Sequence, residues 1–330
     1  MTETCANLTQ PKVSVLPQKP ERFPTTMKSL LTPILLVILT ATRPALAEVI
    51  DASKPVKVFI LAGQSNMQGH GRITMDKDGD LPFAAGQKQF SYLKNEDGWV
   101  ERADVWYCHQ PAKADLVTSN LKPGLGARPD SIGPELAFGH VIGNHFEEQV
   151  LLIKCAWGGQ ALGGLFRPPG SGNTGQKYTQ LLAEVKEALA KIGDHFPAYE
   201  GQGYELAGFF WHQGWNDGCK KDLAAEYEKN MTHFVKDVRR DLGNENLPFV
   251  IATSGMGGPD ATGVAGFLGK SIEPAQVAAA AKFKKCTAVE TRAFQKHKPG
   301  RQKSHWHNSA ESYCLVGDAS AKAMIKNLGE

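Results

Sequence analysis

The sequence predicts an α/β protein, a three-layer α/β/α sandwich around a five-stranded parallel sheet. Three observations carry that reading. Short apolar runs of strand length recur along the chain, bounded by Gly or Pro. Stretches with apolar residues at helical spacing separate them. Clusters of small polar residues, Gly and His follow directly on several of the runs. Strands separated by helices of this length imply right-handed crossovers and a parallel sheet covered on both faces.

The first run, 56–62, lies between Pro55 and Gly63 and reads as a buried strand that ends in Gly63-Gln64-Ser65-Asn66-Met67. A long irregular stretch follows, 70–131, rich in Gly, Pro, Asp and Lys; its pieces Trp99-Val100 and Val105-Trp106-Tyr107 suggest hairpin strands or a lid facing a substrate, or an insertion without chemistry. From Gly133 the pattern becomes regular. Pro134 suits a helix first turn, and Leu136, Phe138, Val141, Ile142 and Phe146 follow at helical spacing. Residues 149–156 form the next strand. A helix over 177–196 presents Leu181, Leu182, Val185, Leu189 and Ile192 on one face, and 205–211 is the third strand. A long helix over 222–242 turns Tyr227, Met231, Phe234, Val235 and Val238 inward. Then come a strand at 247–253, an alanine-rich helix at 274–283 and a weak strand at 287–290. The last helix spans 308–328, with Asn308 and Glu311 spaced as a capping box.

The chain has 330 residues and a hydrophobic fraction of 42%, which suits a globular core. Its start reads differently. Met27-Lys28 begins a basic segment, an apolar core follows to Ala41, and Ala45-Leu46-Ala47 has the small-x-small form of a cleavage site. We therefore expect an upstream extension over 1–26, a signal peptide over 27–47, and one domain over 48–330 in which 70–131 is an insertion or lid. A single-span anchor is the alternative, but the apolar core is short for a bilayer. Export to the periplasm or outside the cell follows, with no stable membrane association once the leader is removed.

That leader carries Lys12, Lys19, Arg22, Lys28 and Arg43 against Glu3 and Glu21, so its removal takes the net charge from +3 to zero. A neutral chain has no electrostatic footprint for nucleic acid. Five cysteines remain without Cys5, an odd number with no zinc-like spacing, and one disulfide is compatible with export.

In a parallel sheet every carboxyl end points to one edge, where ligands bind. Ser65 stands there after the first strand, and Trp157-Gly158-Gly159-Gln160 after the second. His212-Gln213-Gly214-Trp215-Asn216-Asp217 follow the third, and His305-Trp306-His307 precede the last helix. A hydroxyl, glycine N–H groups, a side-chain amide and an imidazole are the parts of an acyl-transfer hydrolase. The rival reading of Ser65 is a plain helix cap. His305 and His307 stand two apart, as metal ligands can, but no third ligand at recognisable spacing supports a metal, and we expect neither metal nor cofactor.

Gly63-Gln64-Ser65-Asn66-Met67, Trp157-Gly158-Gly159 with Leu162, Trp211-His212-Gln213-Gly214 with Asp217, and the late His305 together resemble the SGNH-type hydrolases, whose sheet is flavodoxin-like. The resemblance is to the branch of sialate O-acetylesterases and acetylxylan esterase-like carbohydrate esterases, and it covers 55–328. It implies an exported serine esterase that hydrolyses O-acetyl esters on carbohydrates through an acyl-enzyme intermediate. Ser65 would be the nucleophile and His305 the base. The Ser65 N–H, a glycine N–H at Gly158 or Gly159, and the Gln213 amide would form the oxyanion hole. Gln64, Asn66, Trp215 and Arg167 are the expected substrate-binding residues, although Arg167 could equally fix a loop.

Two departures stand out. The family often carries Glu after Gln-Gly, where this chain has Trp215, and many members carry Asp three residues before the catalytic His, where it has Gln302. Asp217 is the expected acid that orients His305, with Glu290, Glu311 or no acid as the alternatives. His212 is expected to pack beneath the site. Two other readings stay open: a carbohydrate-binding relative with weakened chemistry, and a short-chain lipid or thioester hydrolase. No long apolar lid helix favours the latter.

Overall fold

The computed structural model describes residues 53–112 and 114–329. The expected extension over 1–26 and signal peptide over 27–47 lie outside the described residues. Seven strands form the main sheet: β1 (Val56–Gly63), β2 (Arg102–His109), β3 (Val117–Leu121), β4 (Val150–Ala156), β5 (Tyr204–His212), β6 (Phe249–Ala252) and β7 (Cys286–Val289). Their order is β7-β6-β5-β1-β4-β2-β3. All neighbours are parallel except β2 and β3, which pair antiparallel at one edge.

The helices that matter for the site are α1 (Ser65–Gln68), α2 (Glu135–Gly143), α3 (Gln176–Ala190), α4 (Trp215–Gly218), α5 (Lys221–Asp241), α6 (Gly263–Ala280) and α7 (Ala310–Leu328). Alternation along β5 separates the two faces. Phe209 and Trp211 pack on Phe234 of α5, while Phe210 between them packs on Phe138 of α2. Phe59 of the central strand also meets Phe138, and α7 lies beside α2. The three-layer α/β reading therefore holds.

The strand count does not: five were expected and seven are found. Both additions come from within 70–131. The β2 run Val105 to Cys108 is extended by polar ends, since Arg102 pairs with Asp104 and also donates to Asn144 Oδ1 at 2.6 Å. The hairpin suggested at Val105-Trp106-Tyr107 is thus a longer strand of the main sheet. Most of β3 is only half-buried and polar, as an edge strand is. Helix boundaries shift as well. The 274–283 helix begins at Gly263, its first half hidden by glycines, and Pro274 lies inside it. The 177–196 helix ends at Ala190 and resumes as a turn at Ile192–His195. Helix α7 is capped by Ser309, which accepts from the Ser312 N–H at 3.1 Å, and Asn308 is free for another task. Cys108, Cys155, Cys286 and Cys314 are free thiols.

Beneath the carboxyl edge lies a fully buried ion pair. Lys154 of β4 donates to Glu135 Oε2 at 2.9 Å, to the Gln68 carbonyl that ends α1 at 2.8 Å, and to the Leu125 carbonyl at 3.2 Å. Glu135 in turn accepts from the Gly133 N–H at 2.7 Å. Burial lowers the Lys154 pKa and Glu135 opposes that shift. Glu135 is thus an anchor under α1. Removing one partner of such a pair leaves an uncompensated charge. Lys154→Met is expected to cost about 3–5 kcal/mol in denaturant unfolding, and the double variant Lys154→Met/Glu135→Leu to recover most of it. A single variant with an unchanged unfolding midpoint would contradict this assignment.

Candidate active site

The turn that carries Ser65 begins where β1 and β5 end. A Cβ at Gly63 would lie 2.2 Å from the His212 carbonyl oxygen, so the two strand ends approach too closely for any side chain there. The chain turns at Gln64, whose N–H reaches the same carbonyl at 3.4 Å, and enters α1 with Ser65 as its first residue. Ser65 is 8% exposed, enough for its hydroxyl to meet a substrate at the edge. Gly158 sits beside it, because a Cβ there would fall 3.7 Å from Ser65 Cβ. Gly159 has φ +74°, a conformation that suits glycine. Among the described residues no intramolecular acceptor is paired with the backbone N–H of Ser65 or Gly158. The structure thus brings Ser65 and Gly158 side by side, with Gly159 next in the chain.

Gln64 and Asn66, expected to bind substrate, are instead buried fasteners. Gln64 Nε2 donates to Asn216 Oδ1 at 2.9 Å and lies 3.5 Å from Ser65 Oγ. Its Oε1 accepts from the N–H groups of Gly214 and Asn216, both at 3.3 Å. Asn66 Nδ2 donates to the Ser304 carbonyl at 2.9 Å, and its Oδ1 accepts from Tyr313 of α7 at 2.8 Å. The residue after Ser65 is therefore bonded to the residue before His305.

His305 lies in a tight turn, Lys303–Asn308, whose last three residues, Trp306, His307 and Asn308, all have positive φ (51°, 51° and 62°). The turn is held from below. The buried Trp306 indole N–H donates to His212 Nε2 at 3.4 Å, and His212 Nδ1 faces the Ala252 carbonyl at 3.3 Å, which assigns the proton to Nδ1. Burial pushes the His212 pKa down to about 4, so it is neutral and acts as a support, as expected. The His305 ring stacks on His70, with centroids 4.0 Å apart and planes 5° from parallel. Its Nδ1 lies 3.5 Å from Gln302 Oε1. Burial and, after it, the Arg128 charge lower its pKa to about 4. The ring is neutral at pH 7, as a proton acceptor must be. Among the described residues no hydrogen bond joins it to Ser65 Oγ, although their segments are tied together through Asn66.

The structure does not bring Asp217 to His305. The Asp217 carboxylate is fully buried and accepts from Leu162 N and Gly163 N, both at 2.8 Å, and from Gln213 Nε2 at 2.6 Å. Burial raises its pKa, and those three donors oppose the shift. It folds the loop that follows Gly158-Gly159. Glu311 pairs with His297 Nδ1 at 2.5 Å, and among the described residues no carboxylate is hydrogen-bonded to His305. The Gln213 amide is also committed. Besides Asp217 it donates to the Gln160 carbonyl at 3.0 Å and Gln64 Oε1 at 3.2 Å, which uses both its hydrogens on the scaffold. Arg167 donates to the Gly163 and Ser171 carbonyls and to Glu226, so it fixes a loop and has no spare fork for a substrate. Trp215 opens α4, half-buried against the core.

The sequence reading missed His70 and Asn216, and it treated Gln302 only as a missing acid. A second histidine five residues past the serine, in Gly69-His70-Gly71, was the available signal.

Comparison with known proteins fits this architecture. Residues 55–326 match the family described as carbohydrate esterase, sialic acid-specific acetylesterase. A probable carbohydrate esterase of Arabidopsis thaliana is 26% identical over 215 residues, 62% of this chain and 71% of that protein. An Arabidopsis thaliana crystal structure superposes with a TM-score of 0.57 at 21% identity, over 83% of this chain and 99% of that one. The crystal structure of NanS superposes with a TM-score of 0.51 at 14% identity, over 83% and 97% of the two chains, and these two likenesses bear on the fold. The chain belongs to the carbohydrate esterase family of sialic acid-specific acetylesterases.

Proposed function

We propose that this carbohydrate esterase is an exported serine enzyme that removes O-acetyl groups from sugars through an acyl-enzyme intermediate. The observation that carries the reading is the Asn66–Ser304 hydrogen bond, which fastens the Ser65 turn to the turn of a neutral His305. Export rests on the signal-like segment over 27–47.

In this reaction Ser65 Oγ attacks the acetyl carbonyl carbon as His305 takes its proton. Nδ1 faces Gln302, which leaves Nε2 for that proton. The backbone N–H groups of Ser65 and Gly158 hold the oxyanion, donors worth about 3 kcal/mol each in related sites. Collapse breaks the ester C–O bond, and His305 returns the proton to the sugar oxygen. Water then repeats the sequence on the acetyl-serine, releasing acetate and restoring the hydroxyl. Trp215, half-buried at the rim, supplies a ring face for the sugar.

A carbohydrate-binding relative with lost chemistry is the second reading. It is favoured by the missing carboxylate at His305 and by the missing Ser65–His305 hydrogen bond. Turnover separates the two. With acetylated sialic acid, xylan and pectin as substrates, Ser65→Ala is expected to lower kcat by roughly 10⁴–10⁶-fold with an unchanged melting temperature. No turnover by the wild type, or a variant that keeps most of it, would reject the serine mechanism.

Asp217→Asn puts a donor among three donors. It is expected to cost about 1–3 kcal/mol of stability, and kcat by no more than about tenfold. An acid that orients the base would cost roughly 10⁴-fold in kcat. A loss of that size in a stably folded Asp217→Asn protein would return Asp217 to the catalytic centre.

A further inference from the structure

We propose that His70 is a positioning residue for His305, holding the base by its ring face where no carboxylate among the described residues holds it by its edge. The inference rests on the reading of His305 as the base.

Histidine 70 is built rigidly onto the nucleophile turn. It follows α1 directly through Gly69, whose φ is +91° and whose Cβ would lie 2.2 Å from Gly133 Cα. Its carbonyl accepts from Asn308 Nδ2 at 3.1 Å, and the same amide donates to Gln302 Oε1 at 2.8 Å. Asn308, released from helix capping, thus sets both groups that touch the His305 ring. One side chain aligns the stacking face, and the other presents an amide oxygen to Nδ1. That oxygen lies at a long 3.5 Å, a weak hydrogen bond, so the parallel stack is needed to fix the plane of the ring.

The charges around the pair explain why a neutral aromatic face serves here. His305 faces His70 from the segment after α1, Gln302 from its own turn and Arg128 from the loop before α2. His70 is acted on by His305, Arg128, Lys154 and Arg72, and burial with these cations lowers its pKa to about 2. It stays neutral throughout the working range. Its Nδ1 is buried without a hydrogen-bond partner among the described residues, so no hydrogen bond at that atom competes with the stack in placing the ring. When His305 becomes an imidazolium during attack, the π-face of a neutral ring lies against the new charge. That interaction is stronger in the transition state than in the ground state. The stack also keeps water from one face of His305, and this burial holds the base neutral in mild acid.

Full-chain wild type, His70→Ala and His70→Phe are compared by pH profiles of kcat and KM on 4-nitrophenyl acetate. Circular dichroism reports folding, and His305→Ala and Ser65→Ala serve as controls. His70→Ala is expected to lower kcat about ten- to a hundredfold with KM within about twofold. Its acid limb should move up from about 4 toward the ordinary histidine value near 6.5, because water reaches the ring. His70→Phe keeps the face covered, so it should keep the low limb and regain most of kcat. A folded His70→Ala protein with the wild-type limb, whatever its kcat, would overturn the assignment while an inactive His305→Ala left the esterase reading standing. Turnover retained in His305→Ala would remove both.

Discussion

The side-chain amide of Asn66 is the constraint on which the site depends. Parallel strands bring Ser65, Gly158 and Gln213 to one edge by topology alone, because each follows a strand carboxyl end. His305 has no strand beneath it. It rides on a turn of three consecutive left-handed residues, a conformation that costs non-glycine residues of order 1–3 kcal/mol each. Such a turn persists only if its surroundings over-determine it. Asn66 and Asn308 tie it to the nucleophile segment, Trp306 anchors it on His212, and Gln295 donates to the Trp306 carbonyl at 3.1 Å. Tyr313 orients Asn66 from the far side, so the final helix, the turn and the Ser65 segment lock together.

The polar groups divide by task. Charge is kept below and behind the site: Lys154 with Glu135 under α1, and Asp217 inside the loop after Gly159. Around the reacting atoms the fixing groups are amides and neutral imidazoles, namely Gln64, Asn66, Asn216, Gln302, His70 and His212. Amides do not titrate, and burial keeps the imidazoles neutral down to low pH. The geometry around Ser65 is accordingly insensitive to protonation over the range in which a neutral base is needed. A carboxylate beside His305 would raise the base's pKa and stabilise its cation. With a stacked ring and an amide oxygen in its place, the proposed base is weaker but free at lower pH.

Much of this was legible in the chain. The buried runs at 56–62 and 149–156 and the face of 222–242 specify strands and a helix because their apolar period is unbroken. Strand β2 was readable only in part, as the piece Val105-Trp106-Tyr107, because Arg102 and Asp104 satisfy each other at its start, a pairing that no local pattern reports. The serine, the glycines and the late histidine stood out by chemical type. The roles of Asp217, Gln213 and Arg167 did not follow from type. A carboxylate, an amide and a guanidinium serve a loop as well as a substrate, and only their partners decide between the two. The position of His70 near the serine was readable, but its role was not, since stacking across 235 positions leaves no spacing to read.

The central claim is that a hydroxyl and an imidazole from opposite ends of the chain act as one nucleophilic unit. Labelling the folded protein with a fluorophosphonate and mapping the adduct by peptide mass spectrometry tests it most directly. The account predicts a single adduct on Ser65 that forms far more slowly in His305→Ala. An adduct on another residue, no adduct, or an equal rate in the histidine variant would contradict it.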